Sequence, residues 1–201
     1  MPLSQTQANL RIRVRRLATF SIVYNSVEAL ISIISGVQAR SIGLIGFGFD
    51  SIIEMGSALI IYWQFRFEMP FEREKKALRL IAYSFFILAT YIALESTRAL
   101  ATDRKSGHTT LGISIAILSL LVMPVLSTAQ RQAGRTLGSR AAIADSKQTL
   151  LCTYLSAVLL VGLVLNSTLG WWWADPIVGF FIAFLAIREG REAWRGDNCC
   201  S

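Results

Sequence analysis

Apolar residues in this chain fall into long blocks separated by short charged stretches, with no strand-like alternation. Six blocks, 17–37, 42–63, 78–97, 109–130, 142–166 and 175–194, reach the roughly 20 residues a helix needs to cross a bilayer core at about 1.5 Å per residue. The fifth is interrupted near its start by Asp145 and Lys147. The first follows Arg11, Arg13, Arg15 and Arg16, as a signal peptide would. It is too long for a signal core, however, carries Asn25 and Glu28, and has no clear small-residue cleavage site after it, so it reads as a retained helix. The pattern predicts an all-α membrane protein: a basic arm 1–16, a six-helix transmembrane domain 17–194 and a short tail 195–201.

The spacing of basic residues orients those helices. Arginines and lysines crowd the arm, the segment after the second block (Arg66, Arg73, Lys75, Lys76, Arg79), the segment after the fourth (Arg131, Arg135, Arg140, Lys147) and the tail (Arg188, Arg191, Arg195). The alternate connections keep only Arg40, Arg98, Arg104 and Lys105. Positive charge stays on the cytoplasmic side, so both termini are expected in the cytoplasm, with the bacterial inner membrane as the location. Trp63 and Trp194 at inner ends, and Trp171, Trp172 and Trp173 at an outer end, fit the headgroup zone. Asp175 and Pro176 read as the cap and first residue of helix six, a structural role.

Composition sharpens this picture only slightly. The 201 residues are 53% hydrophobic and 16% charged, too apolar for an ordinary soluble domain. The net charge of +7 is spread between the blocks and not gathered on one face, which argues against nucleic acid as a partner and for lipid headgroups. Cys152 lies inside a block and Cys199 and Cys200 end the chain, so no secreted disulfide framework is present. A vicinal pair at a chain end reads as inert or lipid-modified sooner than as a metal scavenger. No nucleophile–base arrangement or cofactor motif marks an enzyme.

The chemistry lies in polar residues placed where lipid should be. Asp50 and Glu54, four residues apart, share one face in the middle of helix two. Two adjacent acids with no base nearby repel, and a proton or a cation relieves that repulsion. The plainer alternative is a pair satisfied by Ser, Asn or Arg from a neighbouring helix, but intramembrane acids are functional by default. Ser21, Asn25, Glu28, Ser32 and Ser35 make one stripe on helix one that must face other helices or water. For the serines, helix–helix hydrogen bonding is the better reading. Asp145, Gln148 and Cys152 share a face of helix five. Helices two and five are antiparallel, and Glu54 and Cys152 fall at similar depth, roughly 13 Å from the cytoplasmic ends at the helical rise. Two such pairs can form a four-cornered site for a tetrahedral ion such as zinc, though the donors are of mixed softness. Taken alone, Cys152 reads equally well as a small buried hydrophobe.

Other features are quieter. Glu95 and Arg98 read as a local ion pair. Asp103 and His108 read as solvated loop residues. Gly43, Gly46, Gly48, Ser51, Gly56 and Ser57 permit close approach along helix two, and Pro124 invites a kink in helix four.

Three stretches carry a family resemblance. Residues 41–54, SIGLIGFGFDSIIE, resemble the second helix of cation diffusion facilitators. Residues 144–152, ADSKQTLLC, resemble their fifth, and 173–183, WADPIVGFFIA, the start of their sixth. The resemblance implies a six-helix protein that binds Zn²⁺ or a related divalent ion near mid-membrane; since Asp50, Glu54 and Cys152 would release protons when the ion binds, the expected function is proton-coupled efflux of that ion from the cytoplasm. It puts Asp50 and Glu54, with Gln148 and Cys152, at the positions of that family's metal-binding pairs, with Asp145 beside them. Glu28 and Asn25 become flanking or pathway groups. Two departures stand out: no histidine occupies the site, and helix five supplies no carboxylate there. The sequence also stops soon after helix six, which resembles a truncated branch similar to the synaptic-vesicle zinc transporters. The resemblance then implies that any homodimer forms through the transmembrane helices. No resident cofactor is implied; the metal is cargo. The weak helix-five donors keep a second expectation alive, a membrane metal sensor or regulatory subunit that does not transport.

Overall fold

The computed structural model describes residues 5–66, 71–102, 107 and 109–195. Within them it is all-helical: α1 (Gln5–Ala39), α2 (Ile42–Arg66), α3 (Phe71–Ala101), α4 (Thr110–Leu137), α5 (Arg140–Leu169) and α6 (Ala174–Arg195). Each helix contains one of the six apolar blocks. Four of them, α1, α2, α4 and α5, are by themselves long and apolar enough to cross a membrane. Asp103, His108, Cys199 and Cys200 fall outside the described residues.

Several helices outrun their apolar blocks. α1 begins at Gln5, so much of the basic arm continues the first helix, and α4 runs on to Leu137. Arginine, glutamine and alanine are good helix formers, so nothing stops a helix at the lipid boundary. The stops lie elsewhere. Gly138 (φ 64) and Gly170 (φ 65) end α4 and α5 in the left-handed conformation that glycine reaches without strain. Thr109 and Ser139 cap the next turns, accepting from the backbone N–H of Gly112 and Ala142. α4 continues through Pro124, which removes the bond to Leu120 O but not the helix.

The helices pack most intimately as three pairs, α1 with α2, α4 with α5, and α3 with α6, and the seams between pairs are thinner. Glycine explains the first pair. A Cβ on Gly48 would lie 2.7 Å from Ile33 Cγ1 and 3.1 Å from the Ile33 backbone nitrogen, so only glycine lets α2 lie that close to α1. Phe47, Leu44, Ile92, Met123, Leu159 and Ile182 fill an apolar core shared by α2 to α6. The opposite faces present Leu30, Ile87, Leu121, Val125 and Phe184 outward, as a bilayer solvent permits.

One residue at the start of α6 does more than its sequence position suggests. Asp175 lies in the first turn of α6, and its carboxylate also caps the start of α2. It accepts from the Ile42 backbone N–H at 2.8 Å and from the Ser41 hydroxyl. Its role is structural, as expected, but the contact spans the two ends of the chain and no local pattern announces it.

Candidate metal centre

The polar stripe of α1 is wholly interior: Ser21, Asn25, Glu28, Ser32 and Ser35 are all buried. It meets a second set of buried polar groups from three other helices. α2 contributes Asp50, Ser51 and Glu54; α4 contributes Ser119, Ser127 and Gln130; α5 contributes Asp145, Ser146, Thr149, Cys152 and Ser156. The sequence anticipated facing stripes on α1, α2 and α5. The hydroxyls of α4 were missed, although Ser119 continues a buried register with Ile115, Met123 and Leu126.

Glu54 is 1% exposed, and neither carboxylate oxygen has a hydrogen-bond partner among the described residues. A buried acceptor left without a donor costs on the order of 1–3 kcal/mol, and more if charged. Asp50 is buried one turn away. Glu28 is fully buried. Its Oε2 accepts from the Ser51 hydroxyl at 2.8 Å, and its Oε1 is without a partner among the described residues. Cys152 is 1% exposed, with its Sγ 4.0 Å from Ser119 Oγ. Ser119 also stands beside Glu28 and accepts from Ser156 at 3.0 Å. Cys152 lies within electrostatic range of Glu54, Glu28 and Asp50. Helices two and five therefore do turn these groups toward one another across the thin seam between the α1–α2 and α4–α5 pairs.

Gln148 is half-buried, and its Nε2 has no partner among the described residues. Asn25 donates to Ser21 Oγ at 3.1 Å, and its own carbonyl oxygen has no donor among the described residues. Asp145 behaves differently from the rest. Its two oxygens accept from Ser57 (2.9 Å) and Gln130 (3.0 Å), so it ties α2, α4 and α5 together, one turn along α2 from Glu54 and one turn along α5 from Gln148. The pairing of Glu95 with Arg98 is present at 2.7 Å.

The groups converge without closing. Among the described residues, no three His, Cys, Asp or Glu side chains stand close enough together to hold one ion. One further acid faces the seam. Glu189 of α6 is half-buried and acts electrostatically on Asp50, with Lys147 of α5 in its own field. By sequence it looked like part of a charged tail. Its register with the buried Ile182, Leu185 and Ala186 is the signal that could have found it.

A helical bundle with lipid-facing apolar surfaces and a seam of buried acids defines an integral membrane protein with a candidate cation site. The sequence agrees in kind: residues 18–195 match the model of the cation efflux transmembrane domain, and the chain belongs to that family. It is 25% identical over 165 residues to "Uncharacterized transporter sll1263" of Synechocystis sp., a match covering 77% of this chain and 53% of that protein. It is 32% identical over 87 residues to "Cation-efflux pump FieF" of Shewanella oneidensis, covering 43% of this chain and 28% of that one. The chain thus spans about half the length of the first relative and about a quarter of the second. Both relatives are bacterial.

Proposed function

We propose that the protein carries a divalent metal cation out of the cytoplasm in exchange for protons, with Zn²⁺ as the ion to test first. Asp50, Glu54, Gln148 and Cys152 are the contact set; Asp145, Asn25 and Glu28 flank it. Both ends of the chain lie in the cytoplasm in this reading, as the basic residues suggest. The observation that carries the proposal is Glu54: a carboxylate sealed in the bundle in the field of Asp50, Glu28 and Asp145 and near the Cys152 thiol, beside the Thr149 hydroxyl but with no hydrogen bond of its own among the described residues. A dication or protons satisfy such lone pairs in turn, and metal binding to carboxylate and thiolate releases the protons they held. The thin seam between the α1–α2 and α4–α5 pairs suits an alternating motion, one pair rocking against the other until the donors close on the ion.

The test is radioactive-zinc uptake into inverted vesicles carrying wild type or the double variant Asp50→Ala with Glu54→Ala. Zinc should accumulate with the wild type when a pH gradient is imposed, and not with the variant. Equal rates would remove the proposal. A sensor or regulatory subunit is favoured instead if purified protein binds zinc and never accumulates it in liposomes.

A further inference from the structure

The departures on α5 leave the proposed centre short of one anionic oxygen, since Gln148 is neutral and Cys152 is a sulfur donor. We infer that Glu28 of α1 supplies that oxygen, making the ion site a three-helix centre in which an α1 carboxylate stands in for the one α5 lacks. This inference rests on the reading under Proposed function and deepens it.

Three observations converge on Glu28. It is fully buried, with one oxygen anchored by Ser51, while the other makes no hydrogen bond among the described residues although the Ser119 and Tyr24 hydroxyls stand beside the carboxylate. The anchor is Ser51, which sits between Asp50 and Glu54 on α2, so the bond holds the Glu28 head at the level of those acids. On its far side stands Ser119, the same hydroxyl that contacts Cys152, so Glu28 and the thiol flank one side chain. The unpartnered oxygens of Glu54, itself 1% exposed, lie in the same seam. A buried serine would have been enough to pack this stripe, as Ser21, Ser32 and Ser35 do. A carboxylate in a serine's place costs several kcal/mol of desolvation unless a cation or proton compensates it. The described ligands are not yet gathered, so the inference requires them to close on the ion as it loads.

A third carboxylate oxygen also hardens the donor set. Oxygen donors favour Mn²⁺ relative to Zn²⁺, and thiolate favours Zn²⁺. Glu28 therefore acts on ion preference as well as affinity, which a packing residue would not do.

The experiment is equilibrium binding of Zn²⁺ and of Mn²⁺ to the purified full chain in detergent, by competition with a chromogenic chelator. Glu28→Gln keeps size and the ability to accept from Ser51. It should weaken Zn²⁺ by about 100-fold or more, beyond the roughly 10–100-fold typical of groups that only support a ligand. Mn²⁺ should weaken by a larger factor than Zn²⁺. Ser35→Ala, on the same buried stripe of α1 but two turns from Glu28, should bind both ions as wild type does. Should Glu28→Gln not fold, Glu28→Asp, which shortens the reach by one methylene, should still alter the Zn²⁺ to Mn²⁺ ratio. Glu28 variants that bind both ions as wild type does, while Glu54→Gln abolishes binding, overturn the inference and leave the broader reading standing. A uniform loss for both ions also overturns it, because that marks a structural role. If Glu54→Gln binds as wild type, the broader reading itself fails.

Discussion

Asp175 and Glu54 are both carboxylates buried in the same bundle, 3% and 1% exposed, and they live under opposite conditions. Asp175 sits where α2 begins. It receives the Ile42 backbone N–H and the Ser41 hydroxyl, and the positive end of the α2 dipole adds to both. Its charge is absorbed by groups whose positions are set by the fold. Glu54 sits at mid-helix, where every backbone N–H is already spent on its own helix, and the one hydroxyl beside it, from Thr149, is outnumbered by acids and a thiol. The fold answers one charge and leaves the other to be answered from outside. Burial alone does not separate a structural acid from a functional one; the supply of donors does.

The contrast breaks most visibly if Glu54→Gln is active. That variant should lose zinc transport in vesicles by about 100-fold or more, yet unfold in detergent no more easily than wild type, because a neutral amide is cheaper to bury than a carboxylate without donors. Asp175→Ala should show the reverse: a lower thermal unfolding midpoint, equivalent to about 2–3 kcal/mol, from two lost hydrogen bonds to a charged acceptor. An Asp175→Ala protein as stable as wild type would erase the distinction. Gly48→Ala tests the pair that carries Glu28 and Glu54. Its Cβ would press on the Ile33 backbone, so a loss of about 1–3 kcal/mol in the same assay is expected. Asp145→Asn should cost about 1 kcal/mol, because Asn keeps an acceptor for Ser57 or Gln130 but not an equivalent one for both. Smallest of all, Arg98→Ala removes a pair whose arginine is 73% exposed, and should change the midpoint by less than the equivalent of about 1 kcal/mol.

Much of this was legible before any coordinates. The apolar blocks announced each helix because lipid demands about 20 apolar residues and a closed hydrogen-bond ladder. The stripes on α1, α2 and α5 were legible because acids and amides inside such blocks have nowhere to go but inward. The interior of α1 from Ser21 to Ser35 is where the spacing alone said it would be. Helix ends were read short, as at Gln5 and Leu137, because hydropathy marks the lipid and not the helix. Ser119 and Glu189 were missed for a related reason: a single serine or a glutamate near a charged segment becomes noteworthy only once its neighbours in space are known.

Helix number, the class of membrane protein and the identity of the acids to suspect were determined by the chain itself, since each follows from local hydropathy and a period of 3.6 residues. Partnership was not. Which helices pair closely, that Asp175 reaches across to cap α2, that Asp145 is tied down by two hydrogen bonds while Glu54 has none among the described residues, and that Glu28 leans on the serine between two other acids were all decided in three dimensions. Such contacts join residues from 15 to more than 130 positions apart. No local spacing encodes a donor that arrives from another helix.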